Sequence, residues 1–105
     1  MKLATARSYA LSLPEASEAP HFQYNSFRVG GKIFATVPPD GDSLNIFVGE
    51  ALRAPLIAAS PQAYLALNWG AKVVGVTVVL AQADAASVKR LLLECWRLKA
   101  PKRLL

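Results

Sequence analysis

The chain has 105 residues, of which 53% are hydrophobic, and its mean hydropathy is +0.29. These values predict one folded domain, residues 1–105, with a core of ordinary size. Because no run of about eighteen uncharged apolar residues occurs, we expect no membrane span and a soluble protein of the cytoplasm. The single cysteine, Cys95, excludes an internal disulfide and fits a reducing compartment.

The net charge of +5 lies entirely in the second half of the chain. Residues 1–60 carry five basic and five acidic groups, whereas residues 61–105 carry seven basic and two acidic groups. Such an imbalance favours contact with polyanions, nucleic acid first. A solvated basic face that only aids solubility explains the same charges, so both interpretations stay open.

The first predicted element is a short amphipathic helix. Residues 3–13 place apolar side chains at three- and four-residue spacing, and Pro14 ends the helix. Residues 13–20 contain two prolines and two glutamates, which predicts a loop. Residues 21–24 are a candidate start for the first strand.

A β-hairpin is the clearest local feature of the sequence. Residues 25–37, NSFRVGGKIFATV, contain two alternating apolar runs joined at Gly30 and Gly31. Glycine accepts the positive φ that a two-residue turn between twisted strands requires. Such a turn places Phe27 opposite Phe34, whereas a bulged three-residue turn shifts the register by one and exchanges the faces. Both registers stay open.

A third strand and a second helix follow the hairpin. Residues 38–42, PPDGD, predict a turn, and residues 44–48 predict a strand. Residues 50–59 predict a helix, although Pro55 lies in its interior. Since proline is tolerated in a first turn, a start near Ala54 is the alternative.

The last part of the chain predicts two strands and a long helix. Residues 64–67 form a short strand, residues 68–71 a turn, and residues 73–80 a central strand that is apolar at nearly every position. Asp84 occupies an N-cap position, and Pro101 ends the helix. The inner stripe of this helix is predicted to comprise Val88, Leu91, Leu92, Cys95 and Leu98.

These elements predict an α+β fold of the two-layer sandwich type. An antiparallel sheet of about five strands carries the helices on one face, in the order α-β-β-β-α-β-β-α.

Two stretches resemble signatures of the MmcQ/YjbR family of small bacterial proteins. They are residues 26–35, SFRVGGKIFA, and residues 96–102, WRLKAPK. Residues 11–14 and 20–22 resemble the family's opening, so the likeness runs from about residue 8 to the end. The resemblance implies a YjbR-like, secretion-chaperone-like fold with the same order of elements.

The resemblance also implies DNA binding, because members of the family are described as DNA-binding from a double-wing arrangement of hairpins. This chain departs from the family pattern in residues 73–80, which are almost wholly apolar, and a second DNA-reading wing on that strand is not expected. We predict phosphate contacts through a basic hairpin and a basic C-terminal segment. The predicted nucleic-acid-binding residues are Arg28, Lys32, Arg97, Lys99, Lys102 and Arg103.

Other candidate residues have simpler structural interpretations. We expect Trp69 and Trp96 to lie in the core, although either ring could stack on a base. His21 has no metal-ligating partner at suitable spacing, and a loop or structural role is expected. Cys95 is interpreted as a small hydrophobe, and a catalytic pair with His21 requires the fold to bring them together.

The sequence therefore predicts a non-enzymatic DNA-binding protein without cofactor, metal or membrane contact. One alternative is a protein-interaction module or homodimer, suggested by the apolar strand at residues 73–80. Another is a small-ligand binder whose pocket is lined by His21, Tyr24 and Trp69.

Overall fold

The computed structural model describes all 105 residues and contains one six-stranded antiparallel sheet. The strands are β1 (Ser17–His21), β2 (Tyr24–Val29), β3 (Lys32–Val37), β4 (Ser43–Ile46), β5 (Tyr64–Trp69) and β6 (Lys72–Val79). The helices are α1 (Leu3–Ser12), α2 (Glu50–Ala59) and α3 (Ala85–Lys99), and short 3-10 turns occupy Leu80–Gln82 and Lys102–Leu104. The strands lie in the order β1-β2-β3-β4-β6-β5, which confirms the predicted α+β class.

The helices lie together on one face of the sheet. α3 packs on β3 and β4, α2 packs on β5 and β6, and α1 packs on α3. The core between these layers contains buried side chains such as Phe27, Leu44, Ile46, Val76 and Leu92. The opposite face of the sheet carries no helix, and we call it the open face.

The sixth strand, β1, lies where a loop was predicted. The prolines of this segment do exclude a helix, but they do not exclude an edge strand. β1 pairs only with β2, and Pro20 lies opposite Asn25. In an edge strand, one side of the backbone has no partner strand. A proline that lacks an N–H group therefore need not remove a hydrogen bond of the sheet there. The prediction of about five strands was therefore short by one.

The predicted hairpin is present, and a bulge changes its register. Gly30 and Gly31 have φ values of +56° and +77°, and Val29 pairs with Lys32 across the two-residue turn. Phe27, however, pairs with Ala35, because Phe34 is an extra residue in β3. Phe34 and Ala35 are both fully buried, so the bulge directs two consecutive side chains into the core.

The second helix begins at Glu50, so the alternative start near Ala54 is wrong. Gly49 is its N-cap, and the N–H groups of Leu52 and Arg53 both donate to the Gly49 carbonyl. Pro55 lies inside the helix. Its missing N–H leaves one carbonyl of the first turn without an intrahelical donor.

The third helix follows its prediction except at one position. The Asp84 carboxylate accepts a hydrogen bond of 2.8 Å from the Ser87 N–H, which confirms the N-cap. Four residues of the predicted stripe are buried, but Leu98 is 66% exposed. Trp96 is buried in its place, and its indole Nε1–H donates to the Pro14 carbonyl.

The apolar strand β6 is central, as predicted, and it pairs with β4 and β5. Val76 and Val78 are fully buried in the core, so these two side chains need no partner chain to cover them. None of the helices is long and apolar enough to cross a membrane.

Gly75 allows β4 and β6 to approach closely. A Cβ atom built on Gly75 would lie 2.2 Å from the Ile46 carbonyl oxygen and 3.0 Å from Phe47 Cα. Because both neighbours are backbone atoms, rotation of a side chain does not relieve the overlap.

We therefore expect Gly75→Ala to lower the free energy of unfolding by about 3 kcal/mol, since the strands must separate to admit the methyl group. Urea unfolding followed by circular dichroism measures this change. Gly49→Ser is the control, because Gly49 has open space around it and no positive φ, and we expect a change below about 0.5 kcal/mol. Equal stability of Gly75→Ala and the wild-type chain would contradict the close approach.

Candidate functional site

The open face of the sheet holds a groove of about 940 Å³, which we call the open-face groove. Its position follows from the short strand β4, whose pairing with β3 and β6 ends at Ile46. Beyond that point no strand lies between the β2–β3 hairpin and the β5–β6 hairpin. Phe47 occupies the gap and lines the groove.

Polar side chains lie along the middle of the sheet on the open face. The cross-strand register aligns Ser26, Thr36, Asn45 and Thr77 on four neighbouring strands. Thr77 Oγ1 donates to Asn45 Oδ1 at 2.8 Å, and Ser26 Oγ donates to the Ala19 carbonyl at 2.7 Å. Thr36 and Asn45 also line the open-face groove, so its lining includes hydrogen-bonding groups.

Aromatic side chains line the groove from two directions. His21, Phe22 and Tyr24 come from the turn between β1 and β2, and Phe47 and Trp69 come from the gap between the hairpins. Phe22 is 93% exposed, Trp69 65% and Tyr24 40%. The rings of Phe47 and Trp69 meet edge to face with centroids 5.6 Å apart.

The remaining lining includes one cation. Lys99, from the last turn of α3, reaches the groove, and no aspartate or glutamate lines it. The aliphatic and amide lining residues are Ile33, Leu67, Val74, Gln23 and Asn68.

Of the six predicted basic residues only Lys99 lines the groove, while Lys32 and Lys102 lie at the hairpin tip next to it. Pro101 Cδ lies 3.1 Å from the position of a Cβ on Gly30, so the C-terminal segment packs on the hairpin tip. Lys32 at this tip and Lys102 after Pro101 are exposed, and Lys99 lines the groove. None of these three lysines belongs to one of the three salt bridges of the structure.

Two of the other predicted arginines form ion pairs within the protein. Arg97 pairs with Glu94 at 3.1 Å. Arg103 donates two hydrogen bonds to the Glu15 carboxylate. These bonds lower the pKa of Glu15 below its usual value and raise the pKa of Arg103. Both guanidinium groups therefore have carboxylate partners without any bound ligand.

The remaining arginine, Arg28, is held on the sheet. Its Nε donates to Ser26 Oγ at 3.0 Å and its Nη2 donates to the Pro20 carbonyl at 3.3 Å. The Arg28 guanidinium group has no carboxylate partner, but these two hydrogen bonds hold it over β1 and β2.

The structure separates Cys95 from His21. Cys95 Sγ is buried under α3, 2.8 Å from the Phe34 carbonyl oxygen and 2.7 Å from the Phe47 carbonyl oxygen. His21 lines the groove on the open face. Burial raises the pKa of the Cys95 thiol to about 12, which disfavours the reactive thiolate. No cluster of three or more His, Cys, Asp or Glu side chains is suited to hold a metal ion.

The sequence located only part of the groove. The prediction that His21, Tyr24 and Trp69 line one pocket is confirmed. The prediction that Trp69 lies in the core is wrong, because Trp69 is the last residue of the edge strand β5 and its side chain is mostly exposed. Phe22 and Phe47 were missed. Phe22 and Gln23 are not typical residues of a two-residue turn, so the sequence carried no signal for the exposure of Phe22.

The sequence model of the YjbR family matches residues 11–98, and the chain belongs to this family. A solved structure, Deinococcus radiodurans protein DR2400 with its DUF419 domain, is similar in fold with a TM-score of 0.81. The two proteins are 24% identical, and the match covers 97% of this chain and 80% of that one. This likeness concerns the fold alone. None of the curated proteins compared with the chain matches it.

The buried thiol gives a direct test of the Cys95 assignment. We expect native protein at pH 8 to react with Ellman's reagent at least about a hundredfold more slowly than a free thiol, because the group is buried and protonated. Absorbance at 412 nm measures the reaction, and guanidinium-unfolded protein is the control. Reaction of the native protein at the unfolded rate would contradict the assignment.

Proposed function

We propose that this protein binds nucleic acid and holds phosphate groups with Lys32, Lys99 and Lys102. The main support is that none of these lysines belongs to a salt bridge and that Lys99 lines a groove without any carboxylate. Lys32 precedes the lining residue Ile33, and Lys102 follows Pro101, which packs on the hairpin tip. An anion entering there meets positive charge without competition from an internal partner.

The type of cation favours phosphate contact over base recognition. A lysine ammonium group acts as a compact point charge, whereas bidentate recognition of guanine edges is typical of arginine. The arginines of the predicted site have internal hydrogen-bond partners, as described above. We therefore assign Arg28, Arg97 and Arg103 mainly to holding the β1–β2 edge, the end of α3 and the C-terminal segment.

The packing of the C-terminal segment on the hairpin supports a single site. Because Pro101 lies against Gly30, the positions of Lys32 and Lys102 are coupled through the backbone. The two charges then act on the same ligand, and less conformational entropy is lost when it binds. Membership of the YjbR family, whose members are described as DNA-binding, is consistent with this function.

Salt dependence tests the number and identity of the contacts. We expect the affinity for a fluorescent 20-base-pair duplex, measured by anisotropy from 20 to 200 mM NaCl, to fall with a log–log slope of about −2.7 for three phosphate contacts. Each of Lys32→Gln, Lys99→Gln and Lys102→Gln reduces the steepness of that slope by about 0.9.

Lys2→Gln is the matched control, because Lys2 is exposed and the N-terminal amine binds the Leu80 carbonyl at the other end of the sheet. We expect its slope to equal that of the wild-type chain. An equal reduction of the salt slope in Lys2→Gln would mean that only the net charge of the protein matters, and it would contradict a defined phosphate site. Absence of binding at 20 mM NaCl would contradict the function itself.

A further inference from the structure

We propose that the open-face groove binds a single-stranded polynucleotide by stacking its bases on Phe22 and Trp69, an inference that rests on the nucleic-acid binding proposed above. A phosphate bound by Lys99 would leave the attached bases in the same groove that these rings line. Base stacking on aromatic side chains tolerates any sequence, because every base has a π-face.

The exposure of the two rings is the first observation. Both side chains are more than half exposed, whereas the rings of Phe27, Phe34, Tyr64 and Trp96 are buried. Trp69 is held at one edge by Phe47, which orients the indole without covering it. An oriented ring stacks at a smaller entropic cost than a mobile one.

The turn between β1 and β2 sets the backbone of Phe22. Phe22 has a φ of +57° in the turn between His21 and Tyr24, a conformation that is costly for a bulky residue and easy for glycine. Because the side chain is almost wholly exposed, no core contact compensates for this strain. The two-residue turn between β1 and β2 requires this positive φ, and it places the Phe22 ring in solvent beside the groove.

The charges of the groove favour a polyanion over an apolar partner such as a peptide segment or a lipid. The only charged lining residue is Lys99, and hydrogen-bonding side chains such as Asn45 and Asn68 stand beside the aromatic rings. A base has a flat apolar face, polar edges and a negative phosphate, which match the rings, the amides and the lysine respectively. A duplex hides its base faces, so the rings select single strands.

The test compares three probes of equal length: dT12, an abasic 12-mer with the same phosphates, and a 12-base-pair duplex. We expect dT12 to bind at least about tenfold more tightly than the abasic strand and to quench the fluorescence of Trp69, whereas Trp96 is buried. rU12 distinguishes an RNA ligand from a DNA ligand, and preference for either strand supports the proposal.

The variants separate stacking from phosphate binding. Phe22→Gly and Trp69→Ala should each weaken dT12 binding about tenfold and change binding of the abasic strand less than about twofold. Phe22→Gly should not lower the melting temperature, because glycine relieves the positive φ. Leu98→Ala, which truncates an equally exposed apolar side chain outside the groove, should change neither affinity.

Two results would overturn the inference in distinguishable ways. Equal affinity of the wild-type protein for dT12 and the abasic strand, with the salt slope intact, would refute stacking and leave the phosphate site standing. Absence of binding to all three probes at low salt would refute the nucleic-acid function and the stacking with it.

Discussion

The groove depends on the close approach of β4 to β6 at Gly75. Because Gly75 has no side chain, the Ile46 carbonyl and the Phe47 backbone can pass next to β6. The chain then leaves the sheet after Ile46, and the ends of the two hairpins remain separated. Phe47 fills the bottom of that space and orients Trp69. A methyl group on Gly75 would therefore displace the backbone of Ile46 and Phe47, at the point where the groove begins.

The third helix connects the buried core to the rim of this groove. Cys95 lies against the carbonyls of Phe34 and Phe47, which belong to the bulge in β3 and to the floor of the gap. One turn later Lys99 enters the groove, and Pro101 then packs on the tip of the hairpin. The core contacts of α3 thus set the positions of Lys99 and of the segment that carries Lys102. Packing places these two lysines, and ion pairs do not.

Local patterns in the sequence predicted the elements well and the exposure of single residues poorly. The glycine pair and the Asp84 cap act within a few residues, so the hairpin and α3 could be predicted. Whether Trp69 and Leu98 are buried depends on which strand is at the edge and where the helices end, and periodicity does not contain that information. The edge strand β1 could not be predicted either. Its prolines are tolerated because it has β2 as its only partner strand, and local sequence patterns do not show that. The lysine cluster could be named from charge, but its contact with the hairpin required the fold.

The central claim is that nucleic acid binds on the open face, between the hairpins. The most direct measurement is a titration of ¹⁵N-labelled protein with dT12, followed in ¹H–¹⁵N spectra through the two indole Nε1–H signals. Trp69 lines the groove, whereas the Trp96 indole is bonded to the Pro14 carbonyl beneath the helices. We expect the Trp69 signal and the amides of the β1–β2 turn to shift while the Trp96 signal stays in place. Shifts confined to the surfaces of α2 and α3, with an unchanged Trp69 signal, would contradict the claim.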